Sequence, residues 1–224
     1  MTFAKLDGHA MLREQYVGVA VKVIRADIRA MHAGLLYAHS DGEIRFAHLA
    51  FHHDLRNDPA PVAQGYFWSI CEWLSDPEMK DSAQFVANYI ESVVRNSAVN
   101  YGFDPAGVGF DPSGQFYCLD PAKGLTCATF ISAVFQSVGF PIVNLSAWPI
   151  REGDVAWRDY VLEMLTLNGR QDRAKELENE EVSFRLTPAE AAVAASAKTV
   201  PVTYETVVQL AAPLLRDLFV EVSA

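Results

Sequence analysis

Three stretches near the start of the chain predict strands, and in two of them, residues 16–25 and 43–51, hydrophobic and polar residues alternate. They cover residues 16–25, 32–38 and 43–51, and they are rich in valine, leucine and aromatic side chains. This alternation is typical of strands that bury one face. The second and third stretches are separated by a segment that contains Asp41-Gly42, a strong turn signal. We therefore expect three strands, the last two paired as a hairpin.

The rest of the chain shows mainly helical spacing. Helices are predicted over residues 81–96, 126–138, 154–168 and 203–219, and a further helix is predicted to begin at the segment Thr187-Pro-Ala-Glu. Glycine, proline and aspartate concentrate in residues 97–123, which predicts a long irregular loop of a kind that often carries function. Less regular segments are a predicted loop at 57–61, an aromatic-rich stretch at 64–75 compatible with a short helix, and a charged stretch at 170–181 that fits a solvated helix or linker.

The order of these elements predicts the α+β class, because strands dominate the front of the chain and helices dominate its end. Residues 1–150 are expected to form an antiparallel sheet packed against the helix at 126–138. Residues 151–224 are expected to form a mostly helical C-terminal extension packed on that unit. A length of 224 residues suits one compact domain with an extended terminus.

Composition narrows the function classes. Half of the residues are hydrophobic and 21% are charged, so we expect a buried core and little disorder. The net charge of −10 disfavours nucleic-acid binding. We find no signal peptide and no apolar run of about 18 residues that would form an integral membrane segment. Three cysteines do not make a disulfide framework, which favours the cytoplasm, with export independent of a cleaved signal left open. The oligomeric state is not predicted.

Cys127 is a candidate nucleophile because it lies in the first turn of a predicted helix, after a loop that contains Gly124. A helix N-terminus carries partial positive charge and free N–H groups, which lower the pKa of a thiol and can hold the oxyanion of a tetrahedral intermediate. Cys127 also shares a helical face with Phe130 and Val134, so the thiol is expected to point towards the packed side. The alternative is an inert buried cysteine, which is common for free thiols.

Two histidines of the predicted hairpin are candidate partners of this thiol. His32 is expected to open its strand at the rim of the sheet, where it could act as the base. His48 shares a strand face with Ile44 and Phe46, and a polar residue on an apolar face needs a hydrogen-bond partner. If the strands pair, His48 would orient the His32 ring. The alternatives are an exposed surface histidine at 32 and a satisfied core histidine at 48.

Two segments together resemble a known superfamily. Residues 123–142, KGLTCATFISAVFQSVGFPI, resemble the nucleophile helix of the NlpC/P60 cysteine peptidases. Residues 32–48, HAGLLYAHSDGEIRFAH, resemble the histidine strand and the following strand of the same superfamily. The histidine precedes the cysteine here, which is the order of the circularly permuted branch that also contains lecithin:retinol acyltransferase-like proteins. Permutation leaves such a site intact, because geometry defines a triad and chain order does not.

The resemblance implies a permuted papain-like fold and a Cys127–His32–His48 triad that works through an acyl-enzyme without a cofactor or metal. The implied activity is that of a thiol hydrolase, an amidase or peptidase, acting on a peptide, a cell-wall fragment or an acyl or lipid substrate. The family's upstream tyrosine, which helps to hold the oxyanion and substrate, falls on Tyr101 and less well on Tyr117. The residues that flank Cys127 depart from the family pattern, since Thr126 precedes it and Ala128 follows it.

Three alternatives stay open at this point. A lipid or acyl transferase, or a thioesterase, would use the same site, with Phe67, Trp68 and Trp73 as a possible apolar pocket. A catalytically silent binding or regulatory protein would explain the unusual flanks of Cys127. A metal-dependent enzyme would draw on the histidines and aspartate of one short segment. That set is His48, His52, His53 and Asp54. These residues do not converge on a regular strand, and neither a HExxH nor a CxxC pattern accompanies them.

Overall fold

The computed structural model describes residues 2–7, 17–145, 148–180 and 184–222, and these contain eight strands and six α-helices. The strands are β1 (Ala4–Lys5), β2 (Val17–Arg25), β3 (Ala30–Ala38), β4 (Ile44–Phe51), β5 (Asp54–Pro59), β6 (Phe67–Ile70), β7 (Val108–Phe110) and β8 (Phe116–Cys118). The helices are α1 (Lys80–Asn96), α2 (Cys127–Ser137), α3 (Glu152–Leu167), α4 (Gln171–Glu178), α5 (Pro188–Ala195) and α6 (Tyr204–Val222). Two 3₁₀ turns, Glu72–Leu74 and Pro77–Met79, lead into α1.

Six of the strands form one antiparallel sheet in the order β1-β6-β2-β3-β4-β5, and β7 and β8 form a separate hairpin. The three strands predicted from the sequence are confirmed as β2, β3 and β4, although residue 16 lies outside the described residues. The β3–β4 hairpin is also confirmed, and its turn places Gly42 at a φ of +83°. β3 begins at Ala30, so His32 is its third residue and does not open the strand as expected.

Two predictions for the segment after β4 are wrong. The loop predicted at 57–61 is largely strand, because residues 57–59 belong to β5 at the edge of the sheet. Pro59 ends this edge strand, where the missing N–H of a proline is tolerated. The stretch at 64–75 holds strand β6, which pairs with both β1 and β2, and only its end forms a 3₁₀ turn. A strand of four residues is too short to show a clear period.

The predicted helices are confirmed as α1, α2, α3 and α6, and the charged segment contains α4, with residue 181 outside the described residues. Thr187 caps α5 in a reciprocal capping box with Glu190, and Pro188 occupies the first turn. The long loop between α1 and α2 is irregular apart from the β7–β8 hairpin. These agreements show that helical periodicity and capping residues can be recognised from the sequence.

The main hydrophobic core lies on one face of the sheet and includes buried residues of α1, α2 and α5. α5 is buried along its whole length and packs on α2, β2 and β3, which its run of small alanines permits. α6 packs on α5 and β2. Helices from beyond residue 150 thus share a core with the sheet, and the molecule is an α+β protein. Within the described residues, we find no helix that combines the length and apolarity needed to cross a bilayer.

The opposite face of the sheet carries a smaller cluster. Its buried members are Leu6, Ala20, Leu36, Ile44, Phe46, Tyr66 and Trp68. This cluster supports the histidines described below, because Phe46 stacks on His48 with ring centroids 4.6 Å apart.

Candidate functional site

Cys127 is the first residue of α2, and the cap before it determines which N–H groups stay free. The Thr126 hydroxyl accepts the Thr129 N–H at 3.2 Å, and the Thr129 hydroxyl accepts the Thr126 N–H at 2.7 Å. The N–H groups of Cys127 and Ala128 instead donate towards the thiol sulfur, and this contribution lowers the pKa of Cys127. The start of the helix therefore presents two donors at the place where a nucleophilic sulfur would react.

The loop that enters α2 is fixed by close backbone contacts with residues 100–102. The Leu125 N–H donates to the Asn100 carbonyl at 2.9 Å, and the Gly102 N–H donates to the Leu125 carbonyl at 3.2 Å. A Cβ at Gly124 would lie 2.4 Å from the Asn100 oxygen, so only glycine allows this approach. Tyr101 is thereby held next to the chain that carries Cys127.

A buried arginine from the helical extension binds the backbone carbonyls of the same loop. Arg173, in α4, is 3% exposed and donates to the carbonyls of residues from both sides of the junction. Its acceptors are the carbonyls of Tyr101 (2.7 Å), Pro121 (2.6 Å), Ala122 (2.7 Å) and Lys123 (3.1 Å), and the Glu176 carboxylate (2.7 Å). The sequence did not reveal this role, because α4 lies in a segment that its charges marked as solvated.

β3 and β4 pair from Ala38↔Ile44 to Leu35↔Ala47, and the regular ladder stops there although both strands continue. A cavity of about 630 Å³ is lined by the continuing ends of both strands, and His32, Tyr101 and Cys127 contribute to its wall. The backbone N–H of Ala33 donates towards the Cys127 sulfur. The thiol therefore lies beside β3, one residue along the strand from His32.

A chain of hydrogen bonds leads away from His32. Its Nε2 lies 2.8 Å from Nδ1 of His48, and Nε2 of His48 lies 3.0 Å from a carboxylate oxygen of Asp58. A carboxylate only accepts, so Nε2 of His48 carries the hydrogen and its Nδ1 accepts from His32. His32 then donates through Nε2, which leaves its Nδ1 with a free lone pair. The chain therefore fixes one tautomer of each ring.

Burial is the main cause of the pKa shifts of His32, His48 and Cys127. Burial, followed by the charges of His48, Lys22 and Arg56, lowers the pKa of His32 to about 3. Burial also lowers the pKa of His48, and the hydrogen bond to Asp58 opposes that shift. Burial raises the pKa of Cys127, with the Ala33 N–H the strongest opposing influence. The expected lowering of the thiol pKa is therefore wrong, because burial outweighs the helix N-terminus. The resting site holds a neutral thiol and a neutral imidazole.

Of the predicted site residues, three line the same cavity and two, His48 and Tyr117, do not. Cys127 and His32 line one cavity, and His48 is bonded to His32. Tyr101 lines the same cavity, and burial raises its pKa above the usual range. Tyr117, in β8, is 47% exposed and is not among the lining residues. The sequence does not indicate Asp58, because its segment, with two prolines, predicts a loop.

The remaining wall of the cavity has a polar part and an apolar part. The polar part is formed by His52, His53, Asp54, Arg56, Asn168 and Arg170. For the apolar part, α3 and the strand ends supply Ile24, Met31, Leu49, Phe51, Trp157, Tyr160, Val161 and Met164. The aromatic pocket suggested by the sequence is not there. Phe67 and Trp68 are buried on opposite faces of the sheet, and Trp73 packs against Phe135 and Phe140.

The histidines considered for metal binding have other partners. His52 accepts the Tyr101 N–H at 3.2 Å, and His53 lies 2.8 Å from the Asn100 side-chain oxygen. Their rings stack with centroids 3.8 Å apart. Across the described ranges, no group of three or more histidine, cysteine or acidic side chains is placed to hold a metal ion. These contacts tie residues 52 and 53 to the loop before Cys127.

No protein-family model matches the chain, and neither a curated protein nor a solved structure matches it. The structure is that of an α+β protein in which a cysteine at a helix N-terminus lines the same cavity as the first residue of a His–His–Asp hydrogen-bond chain.

Proposed function

We propose that this protein is a cysteine-nucleophile hydrolase of the amidase or peptidase type, with a fold of the permuted NlpC/P60 kind. One observation carries the proposal. The hydrogen-bond chain Asp58–His48–His32 ends at the cavity that contains Cys127, and it leaves Nδ1 of His32 as the acceptor. A nucleophile, a base and a group that orients the base are the parts that acyl transfer requires.

The reaction begins from the neutral pair. His32 Nδ1 takes the thiol proton as the Cys127 sulfur attacks the carbonyl carbon, and the carbonyl π electrons move to oxygen. The N–H groups of Cys127 and Ala128 receive that oxyanion. Collapse of the intermediate breaks the C–N bond, and the leaving amine takes the proton from His32. Water then attacks the thioester with His32 again as base, which releases the acid and restores the thiol.

His48 and Asp58 act through His32 and do not touch the substrate in this mechanism. When His32 becomes an imidazolium, its Nε2–H bond to His48 strengthens, and the Asp58 carboxylate stabilises the developing positive charge. Phe46 and the buried face behind His48 keep the ring in place. The substrate is a peptide or a cell-wall fragment, and Tyr101 is the lining residue that we assign to its binding.

A second candidate, an acyl or lipid transferase or a thioesterase, is favoured by the apolar wall formed by α3 and the strand ends. The first half of the reaction is the same, and the thioester then passes to an amine or alcohol. A catalytically silent binding protein is favoured by the 8% exposure of Cys127 and its raised pKa. Thiol reactivity separates the silent protein from both enzymes.

The test is iodoacetamide labelling of each cysteine, read by peptide mass spectrometry, in the wild type and in His32→Ala. We expect Cys127 to label about tenfold faster in the wild type at neutral pH, because His32 accepts the thiol proton. The rate should rise with pH without a plateau at low pH, since the resting pair is neutral. Cys71 and Cys118 are internal controls, and Cys71 is buried with a raised pKa. Equal rates at Cys127 in both proteins would contradict the proposal.

Hydrolase and transferase are separated by trapping the acyl-enzyme. The wild type is mixed with p-nitrophenyl esters of increasing chain length, and the mass added at Cys127 is followed with time. A hydrolase loses the adduct to water, whereas a transferase keeps it until an amine or alcohol is added. A steep rise of acylation rate with chain length would support use of the apolar wall by an acyl chain.

A further inference from the structure

The polar part of the Cys127 cavity carries a net positive charge, although the chain as a whole has a net charge of −10. Apart from the histidines, the charged residues that line the cavity are Asp54, Arg56 and Arg170. Asp54 and Arg56 balance each other, because two guanidinium nitrogens donate to the carboxylate at 2.9 Å and 2.5 Å. The positive charge of the wall therefore comes from Arg170.

Arg170 lies between α3 and α4, on the exposed rim of the cavity. Its backbone N–H donates to the Leu165 carbonyl at 2.8 Å, which fixes the main chain at this point. Within the described residues, its guanidinium group has neither a hydrogen bond nor an ion pair, and it acts on Asp54 through charge alone. A guanidinium with five donors and no acceptor is available to an anionic ligand of the cavity.

His52 supplies a second donor to the same part of the wall. Its Nδ1 accepts the Tyr101 N–H at 3.2 Å. Burial is the largest cause that lowers the pKa of His52 to about 4, and the charge of Arg170 contributes, so the ring is neutral at pH 7. A neutral imidazole whose Nδ1 accepts a hydrogen bond carries its hydrogen on Nε2. In the part of the chain that the structure describes, this Nε2–H has no acceptor.

The turn between β4 and β5 fixes the direction of the His52 ring. The next residue, His53, has a φ of +56°, in the left-handed region that few residues other than glycine adopt. Its N–H donates to the Val99 carbonyl at 2.9 Å, and its Nε2 lies 2.8 Å from the side-chain oxygen of Asn100. The two histidine rings stack with centroids 3.8 Å apart. The Nε2–H of His52 is therefore oriented before a ligand arrives, which lowers the entropic cost of binding.

The cavity-lining face of α3 changes from apolar to polar along the helix. Its lining side chains run from Trp157 to Met164, and Asn168 follows directly after the helix. At 1.5 Å per residue, Trp157 and Asn168 are about 16 Å apart along the axis. Arg170 continues the polar end. A cavity of about 630 Å³ holds a small-molecule ligand. One ligand with an apolar portion and an anionic group would match both ends of this wall.

We infer that Arg170 and His52 form a carboxylate subsite of the Cys127 cavity. This rests on the proposed function, and it narrows the substrate to an acyl or peptide compound that has an apolar portion and a free carboxylate. The planar guanidinium of Arg170 suits this group, because it can donate two parallel hydrogen bonds to a carboxylate. The Nε2–H of His52 donates a further bond, and the apolar portion lies along α3.

The experiment is an NMR titration of the ¹⁵N-labelled wild-type protein with hexanoate and, separately, with hexanamide. The two probes have the same apolar chain and differ in that hexanoate ends in a carboxylate and hexanamide in a neutral amide. The signal followed is the indole N–H of Trp157, which lines the cavity and is assigned with the Trp157→Phe variant. We expect a saturable shift with hexanoate and a dissociation constant for hexanamide that is at least tenfold higher. Equal binding of both probes, or no binding of hexanoate, would overturn the inference.

Variants assign the preference to the two donors. Arg170→Gln should raise the dissociation constant of hexanoate about tenfold and leave that of hexanamide unchanged, because only the carboxylate needs the cation. His52→Phe, which keeps an aromatic ring and removes the donor, should weaken hexanoate binding about threefold or more. Arg216→Gln removes the same charge at an exposed position on α6 and should have no effect. Unchanged hexanoate binding in Arg170→Gln or in a folded His52→Phe would overturn the inference.

The titration also separates this inference from the proposed function, because hexanoate binds without any reaction at Cys127. Failure of the proposed function appears as equal iodoacetamide labelling of Cys127 in the wild type and His32→Ala, and the hexanoate preference would be retained. Failure of the carboxylate subsite appears as loss of that preference while labelling still depends on His32. The comparison of the two probes on the wild type needs no variant at Arg170 or His52, so it decides the question even if those variants do not fold.

Discussion

The rings of His32 and His48 are joined edge to edge, with Nε2 of His32 lying 2.8 Å from Nδ1 of His48 and the ring planes inclined at 78°. Because Asp58 fixes the hydrogen on the far nitrogen of His48, the contact is a donor–acceptor bond of defined direction. The direction matters for the thiol. It determines that Nδ1 of His32 presents a lone pair, and reversal of the chain would present a hydrogen instead.

Asp58→Ala tests this direction. Without the carboxylate, His48 is free to adopt the other tautomer, and we expect the labelling rate of Cys127 to fall about tenfold, in line with the loss of other groups that orient a reactive ligand. The effect on stability should be small, because Asp58 is 52% exposed. Asp41→Ala, which removes an acid from the far end of the β3–β4 hairpin, is the matched control. Equal rates in both variants would show that Asp58 does not direct the chain.

The buried histidines predict a pH dependence of stability. The pKa of His32 is about 3 in the folded protein and near 6.5 when unfolded, so the unfolded state binds more protons between these values. Stability therefore rises with pH across this window, by up to about 1.4 kcal/mol per pH unit for one such group, and is lost as the pH falls below about 6.5. The pKa of His52, lowered to about 4 mainly by burial, acts in the same direction.

Urea unfolding at several pH values between 7 and 4.5 measures this slope, with His32→Gln as the comparison. The variant lacks the titrating ring, so its free energy of unfolding should fall less steeply with acid than that of the wild type. Carboxylates contribute equally to both proteins and cancel in the difference. Parallel curves would mean that His32 is not buried as a neutral ring.

The contact between His32 and His48 could be anticipated from the sequence, and the reason is local. Alternation placed His48 on a face with Ile44 and Phe46, and the Asp41-Gly42 turn set the pairing of the two strands. The N-terminus of α2 could also be predicted from the sequence, because a capping threonine and a helical period mark it.

The remaining parts of the site depend on contacts between distant segments. Asp58 lies on an edge strand that ends in proline, and a proline in a short polar stretch reads as a loop. Arg173 comes from a charged segment more than 45 residues beyond Cys127, and only tertiary packing reveals that its side chain is buried. A run of charged residues predicts a solvated surface. A buried arginine within such a run therefore cannot be recognised until the fold is known.

Gly34→Ala tests whether the close approach of β3 to His48 is required. A Cβ at Gly34 would lie 2.6 Å from Cβ of His48 and 2.7 Å from the Ala47 carbonyl oxygen, and neither atom can move without moving β4. We expect a loss of about 1–3 kcal/mol in stability and slower labelling of Cys127, because His48 is displaced. Gly153→Ala in α3 is the control, since a Cβ there meets nothing within 4 Å. Equal stability of both variants would contradict the expected clash.

Arg173→Met tests whether the helical extension holds the loop that precedes Cys127. Methionine has a similar length and no donor, so the carbonyls of residues 101 and 121–123 lose their partner, and we expect a loss of about 3 kcal/mol or more in the free energy of unfolding. Lys175→Met changes an exposed charge on the same helix and should cost less than about 0.5 kcal/mol. Labelling of Cys127 in the folded Arg173 variant separates stability from positioning. A loosened loop exposes the thiol, so labelling should become faster yet lose its dependence on His32. An Arg173 variant as stable as Lys175→Met, with labelling still dependent on His32, would show that the extension does not position the site.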